Sequence, residues 1–307
     1  MATAFINHPH CVLHNMGAHH PECPDRLTAI EDYLVGTGLM AHLISELAPK
    51  ATKEQLLRVH DEQYLLEIEA ASPQAGLAHL DPDTAMNKHS LSAALHAAGA
   101  VVRATDMVIG GEADNGFCNV RPPGHHAMRR RAMGFCIFNN IAVGVAHAFK
   151  VHGLQRIAIV DFDVHHGNGS EDIFQGDSRV TMVSTFQHPF YPYSGAEGRS
   201  EHMVNIPLAA YSGSAQFRDA VENAWMPTLH RFAPEMIFIS AGFDAHREDD
   251  MASLALVDSD YAWVTEKIMD IAARYAKGRI VSSLEGGYNL GALARSATAH
   301  IRSLAKL

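Results

Sequence analysis

From about residue 90 onward the chain alternates short apolar runs with longer stretches of helical period. Arg156 to Asp161, Val180 to Phe186, Met236 to Ala241 and Arg279 to Leu284 are rich in Val, Ile and Met. Such near-continuous apolar runs are the mark of parallel strands buried on both faces. Gly116 to Val120 predicts a further strand, and residues 88–109, 138–152, 214–231, 258–276 and 290–305 predict helices. Strands alternating with helices form a parallel sheet with helices on its faces. Ligands of such sheets bind beyond the carboxyl ends of the strands, and polar residues gather there. Asp161, Asp163 and His165 close one strand and, by its period of two, point to one side. Ser184 closes the next strand, Asp244 follows the third, and Glu285-Gly286-Gly287-Tyr288 follows the fourth. Arg121-Pro122-Pro123-Gly124-His125-His126 follows the strand over 116–120. No linker rich in Gly, Pro or Ser and no internal repeat interrupts the pattern, so residues 1–307 read as one α/β domain.

Composition narrows this picture. With 307 residues, 47% of them hydrophobic, the chain can bury one large core. A formal net charge of −10 argues against a nucleic-acid binder, which would carry a basic face. Cys11, Cys23, Cys118 and Cys136 contain no C-x-x-C pair and are too sparse for a disulfide framework. They read as reduced thiols of a cytoplasmic protein. No apolar run approaches 18 residues, so no membrane span is expected.

The chemistry lies in the residue types at the rim. Asp163, His165 and Asp244 offer two carboxylates and an imidazole. Three protein ligands leave a position open, as a catalytic metal site requires. An isolated D-x-H is as easily a hydrogen-bonded strand cap; four further segments reaching the same rim decide for the metal. Two carboxylates nearly neutralise a dication, so its water is only modestly acidified and a general base is needed nearby. His125 and His126, on a turn stiffened by Pro122 and Pro123, provide candidates. Asp161 and Asn168 are placed to orient one histidine each. A carboxylate raises imidazole basicity and an amide does not, so the two pKa values should differ. Tyr288 follows two glycines that let its phenol turn toward the cavity, although G-G-Y alone more often marks a packed tyrosine.

Together these segments resemble a known family. The residues are Arg121 to Ala127, Gly134-Phe135-Cys136, Asp161 to Gly169, Ser240 to Ala245 and Glu285 to Tyr288. They are similar to the zinc-dependent histone deacetylases, above all class II enzymes and the bacterial histone deacetylase-like amidohydrolases. Asn168, where class I enzymes carry Asp, supports class II. The resemblance runs from about His20 to the C-terminus. It implies an arginase-like three-layer fold with a central eight-stranded parallel sheet. It implies zinc on Asp163, His165 and Asp244, with His125 paired to Asp161. His126 would pair with Asn168 and act as general base, and Tyr288 would polarise the amide carbonyl. The tunnel would be walled by Phe135 and Tyr191, with Gly134, His166 and Met251 beside it. Tyr191 stands where the family more often has Phe. Asp81 would grip the substrate backbone at the rim, and Arg26 would lie below the metal near an acetate exit. One potassium site would use Asp161, Asp163, His165, Ser184 and Thr185; a second would use Phe174, Asp177, Val180 and His202. Substrates implied are acetylated lysines or acetylated amines, and a homo-oligomer is compatible with the family.

Three rivals make different demands. A two-manganese ureohydrolase of the same fold needs aspartates where this chain has Gly167 and His246. An acetylpolyamine specialist among the relatives carries Glu seven residues after the metal aspartate, where this chain has Met251, although Glu248, Asp249 and Asp250 lie just upstream. A non-catalytic binding module would not need every catalytic position filled, as they are here.

Overall fold

The computed structural model describes residues 1–197 and 200–307. Among the described residues ten strands are formed: β1 (Thr3–Asn7), β2 (Leu43–Leu47), β3 (Ala78–His79), β4 (Ala85–Met86), β5 (Asn115–Cys118), β6 (Ile157–Asp161), β7 (Val180–Gln187), β8 (Met203–Leu208), β9 (Met236–Ala241) and β10 (Ile280–Leu284). Eight of them make one sheet in the order β2-β1-β5-β10-β9-β6-β7-β8, parallel throughout. β3 and β4 form a separate antiparallel ribbon. The central strands β6, β9 and β10 are buried at every residue. Helix 90–110 lies on β1, β5 and β10 and packs on helix 140–152, while helices 25–36, 258–275 and 290–305 pack together as another layer. The chain is thus a single α/β domain of three layers.

Four of the five predicted helices match to within two residues at each end. The fifth, 214–231, is broken into Ser214–Ala220, a π-turn over Val221–Trp225 and Met226–Phe232. Pro227 lies at the start of the last segment, where its missing N–H disrupts the regular ladder. Three strands of the eight-stranded sheet had no clear signal. β1 is five residues long, β2 is an edge strand with three of its five residues exposed, and β8 carries Pro207, which only an edge strand tolerates.

The strand polarity brings the ends of β6, β9 and β10 side by side. Two details differ from the sequence reading. β6 stops at Asp161, so Asp163 and His165 stand in an irregular segment beyond the pleat. That segment is ordered by two successive carboxylate-to-backbone bonds: Asp163 N–H donates to Asp161 Oδ1 at 3.1 Å, and His165 N–H to Asp163 Oδ1 at 2.9 Å. Ser184 lies inside β7 rather than at its end, directly opposite Asp161 in the ladder.

Candidate active site and metal centre

Asp163, His165 and Asp244 are all buried, and one ligand atom from each lies within 4.8 Å of the others. His165 Nδ1 is 2.9 Å from Asp163 Oδ1 and 3.2 Å from Asp244 Oδ2. Each carboxylate is braced through its other oxygen by a neighbouring loop. Gly286 N–H donates to Asp163 Oδ2 at 2.8 Å, and Val164 N–H donates to Asp244 Oδ1 at 2.9 Å. A Cβ at position 286 would overlap both carboxylates, so only glycine lets the β10 loop approach so closely.

The donor set fits a divalent cation. Asp244 Oδ2 is buried and makes no hydrogen bond of proper geometry, which costs free energy unless something else uses it. Burial, and then the Asp163 charge, pushes the Asp244 carboxyl up to about 6. Two buried carboxylates around one imidazole are what a dication would neutralise.

His125 and His126 stand beside this cluster, their rings 4.0 Å apart between centroids. His125 Nδ1 lies 3.0 Å from Asp161 Oδ2, and His126 Nδ1 lies 2.7 Å from Asn168 Oδ1. The two imidazoles diverge in pKa. Burial alone would lower His125, but the Asp163 and Asp161 carboxylates hold it well above its ordinary value. Burial, and then the charge of the neighbouring His125, holds His126 well below. Glu285, part of the fourth rim segment but given no role from sequence, secures the turn that carries both. Its Oε2 accepts Gly124 N–H at 2.6 Å and His125 N–H at 3.1 Å.

A cavity of about 140 Å³ opens beside the cluster, lined by Asp83, His126, Gly134, Phe135, His165, Phe190, Tyr191, Met251 and Tyr288. Phe190 lies nearly parallel to the His165 ring at 5.4 Å, and Tyr191 meets His126 edge-on at 5.3 Å. Phe135 meets Tyr288 edge-on at 6.0 Å. Burial, then the Asp244 charge, raises the Tyr288 phenol well above its ordinary value, so it remains a donor. Arg26 is buried beneath it, its guanidinium 5.0 Å from the Tyr288 ring centre, and donates to the carbonyls of Gly287 and Glu285. Glu22 holds Arg26 and also Arg121, which the sequence reading had left without a partner.

His166, expected beside the tunnel, and Asp81, expected at its rim, are not among the residues that line the cavity. His166 Nε2 lies 2.6 Å from Glu171 Oε2 and Nδ1 lies 2.9 Å from Ser194 Oγ. Asp81 Oδ1 accepts the N–H groups of Asp83 and Thr84, shaping a turn from which Asp83 reaches the cavity. Phe190 was missed, although its place between Pro189 and Tyr191 offered a signal. Of the potassium residues, Ser184 Oγ is buried without a partner, whereas both Asp177 carboxylate oxygens are held by Arg179.

The second-metal positions are closed. A Cβ on Gly167 would overlap Asp161 Oδ2. His246 turns away to Asp258, with Nε2 3.2 Å from Oδ1.

An eight-stranded parallel α/β domain with a buried Asp₂His cluster at its carboxyl rim defines a class of metal-dependent hydrolases. Within it the chain belongs to the histone deacetylase family, whose histone deacetylase domain matches residues 20–304. It is 37% identical to a histone deacetylase-like amidohydrolase of Pseudomonas aeruginosa, over 94% of this chain and 82% of that one. It is 38% identical to a probable deacetylase of Archaeoglobus fulgidus, over 95% and 83%. The crystal structure of the HDA15 HD domain superposes with a TM-score of 0.94 at 35% identity, covering 99% of this chain and 90% of that one. The chain is therefore a hydrolase of the deacetylase and amidohydrolase type. Among the described residues no helix is long and apolar enough to cross a membrane.

Proposed function

We propose that this protein hydrolyses the N-acetyl amide of an acetyl-lysine side chain to acetate and free amine. The observation that carries the reading is the cavity. It is small, about 140 Å³, its apolar lining includes Phe135, Phe190, Tyr191 and Met251, and His126, His165 and Tyr288 also line it. Such walls suit an unbranched alkyl chain, and the polar groups suit the amide at its end. Zinc held by Asp163, His165 and Asp244 would supply Lewis-acid chemistry to the carbonyl and to the attacking water. His126, kept neutral by burial and oriented through Nδ1 by Asn168, takes the water's proton at Nε2. Tyr288 donates a hydrogen bond to the carbonyl oxygen as negative charge develops there. The protonated His126 then delivers its proton to the departing amine. His125, held cationic between Asp161 and Asp163, acts electrostatically. Potassium at the first site is supported by the unpartnered Ser184 hydroxyl beside Asp161. The second site, through Phe174, Asp177 and Val180, is less well supplied because Arg179 holds the Asp177 carboxylate. Four free thiols fit a reducing, cytoplasmic setting.

The test is a hydrolysis screen over acyl length and amine carrier, with metal content measured on the same samples. Acetyl-lysine peptides should be turned over in preference to bulky or branched acyl amides. A large preference for acetylputrescine over acetyl-lysine peptide would overturn the substrate assignment.

A further inference from the structure

Tyr288 follows Gly286 and Gly287, with Gly287 at φ +124°, so its own backbone sets little preference for where the phenol stands. One buried side chain removes that freedom. Asp249 Oδ2 accepts the N–H of Tyr288 at 2.6 Å and the N–H of Asn289 at 3.0 Å. Its Oδ1 accepts the N–H of Met251 at 3.0 Å. Asp249 is 5% exposed and comes from the loop that follows Asp244, not from the loop it holds. A single carboxylate thus clasps the loop bearing Tyr288 to the loop bearing Met251, and both residues line the cavity. Asn289 continues the brace, because its side chain caps helix 290–305 through Ala292 N–H at 3.0 Å.

We propose that Asp249 is a positioning residue for Tyr288, holding the phenol over the reacting carbonyl by clasping the backbone of its loop from the loop after Asp244. The proposal rests on the assignment of Tyr288 as the carbonyl's hydrogen-bond donor. Charge-assisted bonds to two successive amides are strong and directional. Loss of such a clasp shifts a donor by enough to matter, and an error of about 1 Å in a catalytic group can cost roughly 10²-fold.

The test is a double-mutant cycle on the metal-loaded enzyme with D249A, D249N, Y288F and the two doubles. D249A removes the clasp. D249N keeps the size but replaces one acceptor oxygen by an amide donor, and it serves if D249A does not fold. Metal content is measured for each variant. Expected is a fall in kcat toward roughly 10²-fold with KM and metal content little changed. In the Y288F background the same change should cost at most about twofold, the usual scatter between non-interacting sites. Equal losses in both backgrounds, or loss of metal in D249N, would overturn the positioning role while leaving the Y288F result standing. A Y288F variant with full activity would overturn the underlying assignment, and this inference with it.

Discussion

Two clusters in this molecule have almost the same composition and opposite character. At the rim, Asp163, His165 and Asp244 bring ligand atoms within 4.8 Å of one another; between helices 90–110 and 140–152, Asp106, His147 and His152 do the same. The difference lies one bond further out. Arg58 Nη1 lies 3.1 Å from His147 Nδ1, and a guanidinium has only donors. Nδ1 must therefore accept, which places the imidazole proton on Nε2, aimed at Asp106 Oδ1 at 2.8 Å. His152 Nε2 meets the same oxygen at 2.7 Å. The lone pair that a metal needs from His147 is already committed. At the rim the outer partners are backbone amides. They engage Asp163 Oδ2 and Asp244 Oδ1, and they leave Asp244 Oδ2 unclaimed inside the site. A third trio, His8, His10 and His96, fails for another reason. The His8 and His96 rings are stacked parallel at 3.4 Å, so their in-plane lone pairs cannot converge on one ion. Residue type nominates a metal centre, and the surrounding hydrogen bonds decide whether it can be one.

The most forceful way to break this comparison is to remove a rim ligand. D244A should lose its bound metal and nearly all activity. The ion's share of transition-state stabilisation is several kcal/mol, so the fall should be on the order of 10³-fold or more. Metal per chain, measured by mass spectrometry, should drop from one to none. Retention of one ion in D244A, or two tightly held ions in the unmodified protein, would end the distinction.

Next come the groups beside the metal cluster. H126A and Y288F should each lower kcat by roughly 10²–10³-fold, with the metal retained. For Y288F that is roughly 2.7–4 kcal/mol, the loss of one preorganised donor to developing negative charge. A fall of less than tenfold in steady-state kinetics would contradict the assigned role.

Installing the missing second-metal ligand gives a smaller effect. A ureohydrolase places an aspartate where this chain has Gly167, and G167D would restore it by sequence. Its Cβ, however, would collide with Asp161 Oδ2, the partner of His125. We expect a loss of roughly 1–3 kcal/mol, as for an overpacked core, and no second ion. Thermal melting and metal stoichiometry read both. A stable variant holding two ions would show that the site separates the two chemistries by one residue alone.

What the sequence made legible follows the same line. Asp163, His165, Asp244, His125, His126 and Tyr288 were readable because each chemistry-bearing side chain sits in a distinctive local string at a strand end. β6, β7, β9 and β10 were readable because buried parallel strands are rich in Val, Ile and Met and carry almost no charge, and β5 because it leads into the Arg121–His126 string. The roles of Asp249 and of Glu285, although Glu285 opens the string that ends in Tyr288, were not legible, because each works by accepting backbone amides of a distant segment, and any sequence presents those amides. The direction of the His166 ring was hidden for a related reason. Adjacent residues after a strand end can face opposite ways, and only Glu171 and Ser194 show which way His166 turns. β2 and β8, at the two edges of the sheet, were faint because partly exposed positions need no continuous apolar pattern, and β1, though buried, is only five residues long.

The smallest effect belongs to the Asp106 cluster, and it is the most discriminating. The Asp106 side chain is 39% exposed, so its bonds to two histidines are screened by solvent. D106N should cost less than about 1 kcal/mol in urea unfolding, with activity and metal content unchanged. The sharper version uses the D244A background, where the rim can no longer bind. A ligand that binds only the folded protein raises its stability by RT ln(1 + [L]/Kd), so even weak sites reveal themselves at high concentration. Zinc added to D244A should give no saturable rise in Tm, because freeing His147 Nε2 requires its proton to move to the nitrogen that faces Arg58. A saturable rise that D106N abolishes would show that the Arg58 bond yields to the metal. In that case the outer hydrogen bonds would set only the affinity of such a cluster, and not its character.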